Sequence, residues 1–243
     1  MDYIYCGKPI EQLDFEQFVL FLQSIGTDKK ASFDKKIIKS SMINCGTTSL
    51  QNKEIFQYLR KNDHSKIMTF PNGICFETSV LKARLILFDK TKTIETRLAF
   101  LKEWIKSADS WAHTDSLFAG YKPKVGEFDA LLSFSEDMVS HNSEFEIRLG
   151  VIVLLDYFLN DKNISDVFRL LSKVTYGKYY YVDMAVAWLC ATSLINFEDQ
   201  TFSFLNSGLI NDFTYKKSLQ KACESFRISP DKKIRYKALF RAK

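Results

Sequence analysis

Two segments of this chain carry the same pattern of apolar residues thirty-five positions apart. Residues 145–151 have their counterpart in residues 180–186, and similar spacing recurs around residues 76–81 and 213–219. A period of about 35 residues built from pairs of helices is typical of an α-solenoid, in which each pair buries one face against its neighbours. The repeat therefore predicts an all-α fold, a curved α-solenoid whose inner helices line a concave surface.

The composition also favours helices. The 243 residues include only 9 Gly and 4 Pro, well below the roughly 12% combined average, and no alternating strand pattern bounded by hairpin turns is evident. Thr93, Ser143 and Pro230 each mark the start of a helix. Apolar spacing and these signals predict helices at residues 11–25, 32–42, 49–62, 74–89, 93–107, 110–118, 126–140, 144–159, 163–174, 178–195, 198–207, 212–227 and 230–242.

No linker rich in Pro, Gly or Ser interrupts the chain, so we expect a single repeat domain over residues 1–243. Residues 1–30 form an N-terminal helix or extension of undefined role. Residues 214–243 hold ten Lys or Arg against two acids, while the net charge of the whole chain is only +5. Such a basic end suits contact with a polyanion, and the alternative is a solvated, Lys-rich terminal helix. The candidate contacts are Lys232, Lys233 and Arg235.

The five cysteines are scattered and never form a CxxC pair, a pattern typical of reduced thiols rather than of a disulfide framework or a zinc site. His64 and His141 have no partners at metal-ligand spacing, and no Gly-rich phosphate loop is present. We therefore expect neither a metal nor a cofactor. The first residues do not follow the layout of a signal peptide, and no apolar run approaches about 18 residues. These features favour a soluble, cytoplasmic protein that does not bind membranes.

Trp111 and Asp115 are four residues apart in a predicted helix and so share one of its faces. A carboxylate beside aromatic walls suits the binding of a cation or of a cationic transition state. Two repeats of 35 residues after Trp111 is position 181, and Trp188 lies seven residues, or two helical turns, beyond that position. We therefore expect Trp188 on the same helix face of its repeat as Trp111 has in its own. The alternative is that both indoles pack in the core and the carboxylate joins an ion pair. Arg148 lies in a long apolar run. Because burial of an unpaired charge is costly, its guanidinium requires a carboxylate or a phosphate as partner, or has to reach solvent.

Four segments together resemble the DNA alkylation repair family, in particular its AlkD-like alkylpurine DNA glycosylases. They are residues 110–115, 144–148, 180–188 and 221–229, and the likeness runs from about residue 33 to the C-terminus. The resemblance implies a curved array of HEAT-like repeats. It also implies a cofactor-independent, monomeric base excision repair enzyme that hydrolyses the N-glycosidic bond of N3- or N7-alkylated purines in double-stranded DNA.

The resemblance assigns a role to each candidate residue. Asp115 is implied as the catalytic carboxylate, which stabilises an oxocarbenium-like sugar and positions the attacking water. Trp111 and Trp188 are implied as aromatic walls beside the lesion, and Arg148 as a contact to the DNA backbone. The basic C-terminal segment is a further candidate for DNA contact. The alternative function is a catalytically inactive HEAT-like scaffold that binds DNA structures or a protein partner through the concave face.

Overall fold

The computed structural model describes residues 3–242, and the regular secondary structure of this part of the chain is almost entirely helical. It contains fourteen α-helices, one short hairpin and two single 3₁₀ turns. The predicted all-α fold is therefore confirmed. The chain divides into two compact units, Met1–Lys122 and Pro123–Lys243.

The first unit begins with a hairpin that the sequence did not predict. Its two-residue strands are joined by Cys6 and Gly7, both with positive φ (49° and 74°), and strands this short leave no alternation to detect. Helix α4 is a single turn and was also missed. The elements of this unit are β1 Ile4–Tyr5, β2 Lys8–Pro9, α1 Phe15–Ile25, α2 Asp28–Ile38, α3 Ser49–Leu59, α4 Ser65–Met68, α5 Phe76–Phe88, α6 Ile94–Ile105 and α7 Trp111–Leu117.

Short polar side chains fix the starts of several helices in the first unit. The Asp14 carboxylate accepts from the backbone N–H of Gln17 before α1, and the predicted Thr93 cap accepts from Thr96 before α6. Helix α2 begins four residues earlier than predicted because the Thr27 side chain caps it. It ends at Lys39, which takes a left-handed conformation. These bonds satisfy N–H groups that lack partners within the helix.

The core of the first unit gathers aromatic and aliphatic side chains from α1, α3, α4 and α5. Phe18, Leu59 and Ile67 are fully buried there, and the Trp104 indole on α6 donates to Ser79 Oγ on α5 over 3.0 Å. Helices α3, α5 and α7 pack successively side by side. The three helices therefore lie side by side and contribute to one surface.

The second unit stacks its helices in two layers. Helices α9, α11 and α13 pack successively in one layer, while α8, α10 and α12 form the other. Layered pairs of this kind are the helical repeat that the sequence period predicted, and α14 begins at Pro230 as expected. The helices are α8 Phe128–Val139, α9 Glu144–Tyr157, α10 Ile164–Leu171, α11 Tyr180–Ser193, α12 Glu198–Leu205, α13 Asp212–Glu224 and α14 Pro230–Ala242.

Helices α8 and α9 approach closely at Gly150. A Cβ atom there would lie 2.8 Å from Val139 Cγ1, 2.9 Å from Met138 Cβ and 3.0 Å from the Ser135 carbonyl oxygen. The next four residues of α9, Val151 to Leu154, are all buried, which explains why its apolar run lacks a polar face. Glycine at this position therefore permits the helix contact.

No helix in residues 3–242 has both the length and the apolar character needed to cross a membrane. Met1, Asp2 and Lys243 lie outside the described residues. Lys243 is one of the ten basic residues counted in the C-terminal segment.

Candidate functional site

A groove of about 440 Å³ in the first unit contains both Trp111 and Asp115. The two residues come from consecutive turns of α7, as their spacing predicted, and both are partly exposed. The remaining walls come from α2, α3 and α5. They include Lys30, Phe33, Asp34, Ile37, Asn52, Lys53, Phe56, Phe76, Glu77, Val80 and Arg84. The groove thus combines an apolar lining with a few charged groups, as ligand sites commonly do.

Hydrogen bonds join the beginning of α7 to the last turn of α2 and to the chain segment that follows it. The Trp111 indole Nε1 donates to the Ile37 carbonyl oxygen over 3.2 Å, and the Ser110 hydroxyl donates to the Ile38 carbonyl over 2.6 Å. The Asp109 carboxylate accepts from the Ser41 backbone N–H over 2.6 Å. These bonds hold the indole of Trp111 in one orientation against α2.

The Asp115 carboxylate is oriented within its own helix. The Thr114 hydroxyl lies 2.9 Å from Asp115 Oδ1 and 2.7 Å from the Trp111 carbonyl oxygen. Thr114 is itself fully buried, so this hydroxyl is a fixed neighbour of the carboxylate. The arrangement presents a partly exposed anion to the groove beside an indole.

Arg84 links α5 to the end of α7 and lines the same groove. Its Nη2 donates to the Ala119 carbonyl oxygen over 2.8 Å and its Nη1 to the Ser116 carbonyl over 3.3 Å. The guanidinium also lies 4.6 Å from the centroid of the Phe56 ring. Burial, together with the positive charge of Arg60, lowers the Arg84 pKa from its ordinary value. A cation binding the last carbonyls of α7 complements the negative end of that helix.

His113 lies on the side of α7 away from the groove and is fully buried. Its ring centroid is 4.7 Å from that of Phe76 and 6.0 Å from that of Trp104. Neither ring nitrogen has a hydrogen-bond partner within the described chain, and the Asp109 carboxylate is 3.8 Å from Nδ1. Burial lowers the His113 pKa to about 4, although the charge of Asp109 opposes this change. His113 therefore anchors α7 in the core as a neutral ring.

Two thiols and a carboxylate meet beneath the groove. Cys45 Sγ lies 3.6 Å from Cys75 Sγ, and Cys75 Sγ lies 3.6 Å from Glu77 Oε2. The other carboxylate oxygen, Glu77 Oε1, accepts from the Cys45 backbone N–H over 2.9 Å. All three residues are buried. The sequence did not indicate this cluster, because its cysteines are thirty positions apart.

The other two predicted site residues belong to the second unit, on the neighbouring helices α9 and α11. Trp188 on α11 is 42% exposed, which makes its indole available to a ligand. Arg148 on α9 is only 5% exposed, and its Nη1 donates to the Tyr181 carbonyl oxygen over 2.6 Å. Its guanidinium thus supports the first turn of α11. The DNA contact expected of Arg148 stays a prediction.

The structure also places a row of aromatic side chains at the first turns of α9, α11 and α13. The Phe145 and Tyr181 ring centroids are 6.0 Å apart, and Tyr180 is 5.7 Å from Phe213. Tyr180 is 58% exposed, and the Lys217 ammonium lies 5.9 Å from the Phe213 ring. The sequence indicated residues 180–188 as part of the repeat and of the family resemblance, but it did not indicate an aromatic row across the three helices. The signal that could have revealed this row is the recurrence of an aromatic residue at the start of each repeat.

Two of the three basic candidates near the C-terminus bind an acidic side chain. Lys232 Nζ lies 2.7 Å from Glu198 Oε2 and Arg235 Nη1 lies 3.0 Å from Glu198 Oε1. Burial raises the pKa of Glu198, but hydrogen bonds from Lys232 and Tyr236 outweigh it and the net pKa is lowered. These pairs attach α14 to α12. Lys233 is partly exposed, and the DNA contact predicted for the segment stays untested.

A family model described as DNA alkylation repair enzyme matches residues 20–226. The chain belongs to this DNA alkylation repair family. The match includes α7 with Trp111 and Asp115, the helices that carry Arg148 and Trp188, and both cysteines of the buried cluster. A comparison with curated proteins finds no match for the chain.

Membership supports a role in the repair of alkylated DNA, with DNA as a partner. The basic C-terminal segment, residues 214–243, begins within the matched region and continues beyond it. The groove residues from α2, α3 and α5 lie within the match, although the sequence analysis did not select them. Only their packing against α7 reveals that they surround Asp115.

Proposed function

We propose that this DNA alkylation repair protein is a glycosylase that excises N3- or N7-alkylated purines from double-stranded DNA. The observation that carries the proposal is the groove of the first unit, in which a partly exposed carboxylate and an oriented indole lie side by side. An alkylated purine is cationic, and so is the sugar as its bond to the base breaks. Both groups of the groove therefore match the charge of the reacting nucleotide.

The reaction requires little help for the departing base. When the bond between C1′ and the base nitrogen breaks, the electron pair goes to the base and neutralises its positive charge. A water oxygen then bonds to C1′ and the water releases a proton. The protein has to stabilise the cationic sugar and to direct the water, and both tasks suit a fixed carboxylate.

Asp115 is the proposed catalytic carboxylate. It stands on α7, which is held at its start by bonds to the last turn of α2 and at its end by Arg84. Thr114 limits the rotation of the carboxylate. A carboxylate fixed in this way stabilises the developing charge without reorganising during the reaction.

Trp111 is proposed to contact the cationic base or sugar from the side of the groove. An indole attracts a cation by about 0.5 to 2 kcal/mol, with the larger value where water is excluded. In the second unit, we assign DNA contact to Trp188 and to the aromatic row that includes Tyr180, since Trp188 and Tyr180 are exposed to solvent. Arg148 is proposed to contact the DNA backbone, and membership in the repair family supports this assignment.

The test is single-turnover incubation with a duplex that carries one N7-methylguanine. We expect the wild-type protein to release the base and Asp115→Asn to be slower by at least about 100-fold, with duplex affinity nearly unchanged. Asp129→Asn is the matched control, because Asp129 is an exposed carboxylate in the first turn of α8, outside the groove. It should excise at the wild-type rate.

Two outcomes would contradict the proposal. If Asp115→Asn binds the duplex much more weakly and turns over normally, the carboxylate serves recognition and not catalysis. If the wild-type protein binds the duplex but releases no base from N3- or N7-alkylated purines, the protein is instead a DNA-binding scaffold.

A further inference from the structure

Cys45, Cys75 and Glu77 present three metal-ligating atoms to one buried point, and we propose that they bind a zinc-class divalent ion. The three atoms lie within 4.8 Å of one another. The site is separate from the proposed catalytic pair, because neither Trp111 nor Asp115 contributes a ligand. It would join the chain before α3 to the start of α5, directly beneath the groove.

The distances agree with tetrahedral coordination. Zinc binds sulfur at about 2.3 Å and carboxylate oxygen at about 2.1 Å, so that tetrahedral angles separate two sulfurs by about 3.8 Å and sulfur from oxygen by about 3.6 Å. The corresponding separations here are 3.6 Å between the sulfurs and 3.6 Å between Cys75 Sγ and Glu77 Oε2. An ion can therefore enter without a large movement of the side chains.

The carboxylate is already oriented for this role. Glu77 Oε1 accepts from the Cys45 backbone N–H over 2.9 Å, and the Thr47 hydroxyl lies 3.5 Å from the same oxygen. The other oxygen is thereby left toward the sulfurs. Metal-ligating carboxylates are commonly held by such outer hydrogen bonds.

The backbone brings the two cysteines together through a second set of contacts. Ile43 forms a parallel bridge with Cys75, with the Phe76 N–H donating to the Ile43 carbonyl oxygen over 2.9 Å. Gly46 has φ of 71°, and a Cβ atom at Gly26 would lie 2.0 Å from the Cys45 carbonyl oxygen. Both glycines are therefore needed where the loop passes α1 and α2. The ligands are placed by the fold, and the ion is not required to collect them.

The chemistry of the donors selects the ion. Two thiolates with one carboxylate favour zinc and its softer neighbours over magnesium or calcium, which prefer oxygen. The recorded partners of the buried Glu77 carboxylate are an amide, a thiol and a hydroxyl, all neutral groups. A divalent ion would balance this buried negative charge. Glu77 and Thr47 line the groove, so a water from the groove can supply the fourth ligand.

The experiment uses the full chain, purified without an affinity tag or a chelator and then equilibrated with Zn²⁺ and desalted. We expect about one zinc per chain by elemental analysis. Replacement by Co²⁺ should give near-ultraviolet charge-transfer absorption from thiolate and the visible bands of tetrahedral cobalt. Both measurements use the wild-type protein, so they do not depend on whether a variant folds.

Variants then identify the ligands. Cys75→Ser should abolish the cobalt thiolate absorption. Glu77→Gln should weaken Co²⁺ binding by at least about 10-fold, which is the smallest loss of affinity typical when even an outer-shell partner of a metal site is removed. Cys190→Ala is the matched control, because Cys190 is a fully buried thiol in the second unit. This variant should retain one ion per chain, with unchanged absorption.

The proposal is overturned if the wild-type protein retains no zinc and gives no cobalt thiolate absorption. It is equally overturned if the double variant of Cys45 and Cys75 binds the ion as tightly as the wild type. A wild-type protein that binds no metal but forms a disulfide between these cysteines on treatment with diamide would make the pair a redox couple instead. None of these results depends on base excision.

Discussion

Burial of His113 makes the stability of the first unit depend on pH between about 4 and 6.5. The folded ring has a pKa of about 4 against an ordinary value of 6.5. Within this interval the unfolded chain binds a proton that the folded chain does not, so stability falls as the pH is lowered. One pKa unit corresponds to about 1.36 kcal/mol, and the whole difference amounts to about 3 kcal/mol.

His113→Leu should remove this dependence. The substitution keeps an apolar side chain of similar size between Phe76 and Trp104, and it removes two ring nitrogens without hydrogen-bond partners in the described chain. We therefore expect its free energy of unfolding at about pH 7.5 to lie within about 1 kcal/mol of the wild-type value. Near pH 4.5 the variant should be the more stable protein by about 2 to 3 kcal/mol.

The assay is urea denaturation followed by tryptophan fluorescence in a Trp188→Phe background. The chain has three tryptophans, and without Trp188 the remaining two, Trp104 and Trp111, both report on the first unit. Ile105→Val serves as the control, because it alters a buried apolar side chain on α6. It should cost about 0.5 to 1.5 kcal/mol at every pH.

The charge of Asp109 does not produce the same dependence on pH. Asp109 is the charged group nearest to His113, and hydrogen bonds from Ser40 and Ser41 outweigh its burial and lower its pKa. Its protonation therefore affects stability only below about pH 4. If the wild type and His113→Leu lose stability in parallel from about pH 7 to about pH 4.5, the ring is not held neutral and the explanation fails.

Two further substitutions test the packing of each unit. Gly150→Ala should destabilise the second unit by about 1 to 3 kcal/mol in urea denaturation, because its Cβ would lie 2.8 Å from Val139 Cγ1. Gly126→Ala is the control and should not destabilise the unit, because nothing lies within 4 Å of a Cβ atom there. Equal effects of the two substitutions would contradict the close approach at Gly150. Arg84→Met should keep the packing of the aliphatic stem but lose the bond to the Ala119 carbonyl oxygen, lowering the stability of the first unit by about 1 to 3 kcal/mol. An unchanged midpoint in the Trp188→Phe background would show that Arg84 does not hold α7.

Most of the helices could be predicted because their signals are local. Thr93 caps α6 and Pro230 begins α14 as the sequence indicated, since each depends on neighbours within one turn. The position of α2 was predicted poorly, because the prediction of residues 32–42 rested on apolar spacing and did not take the Thr27 cap into account. The hairpin was missed because its signal is only the conformation of Cys6 and Gly7.

The residues of the candidate site also fall into those that local spacing predicts and those that it does not. Trp111 and Asp115 share a helix, so their spacing alone predicted that they face together, and the groove confirms this. The contacts of Arg84 and the cluster of Cys45 with Cys75 join segments about thirty residues apart. No spacing rule predicts such contacts, because they depend on how the intervening helices fold back.

The bonds that join the start of α7 to α2 and to the segment after α2 have a consequence for the order of folding. Trp111 meets Ile37 and Asp109 meets Ser41 across about seventy residues of chain. Contacts so distant in sequence form only after the intervening chain has been ordered, because closing a long loop early costs entropy. On the ribosome, the contact between α2 and α7 can therefore form only after α7 has been synthesised, and we expect the groove to be the last part of the first unit to assemble.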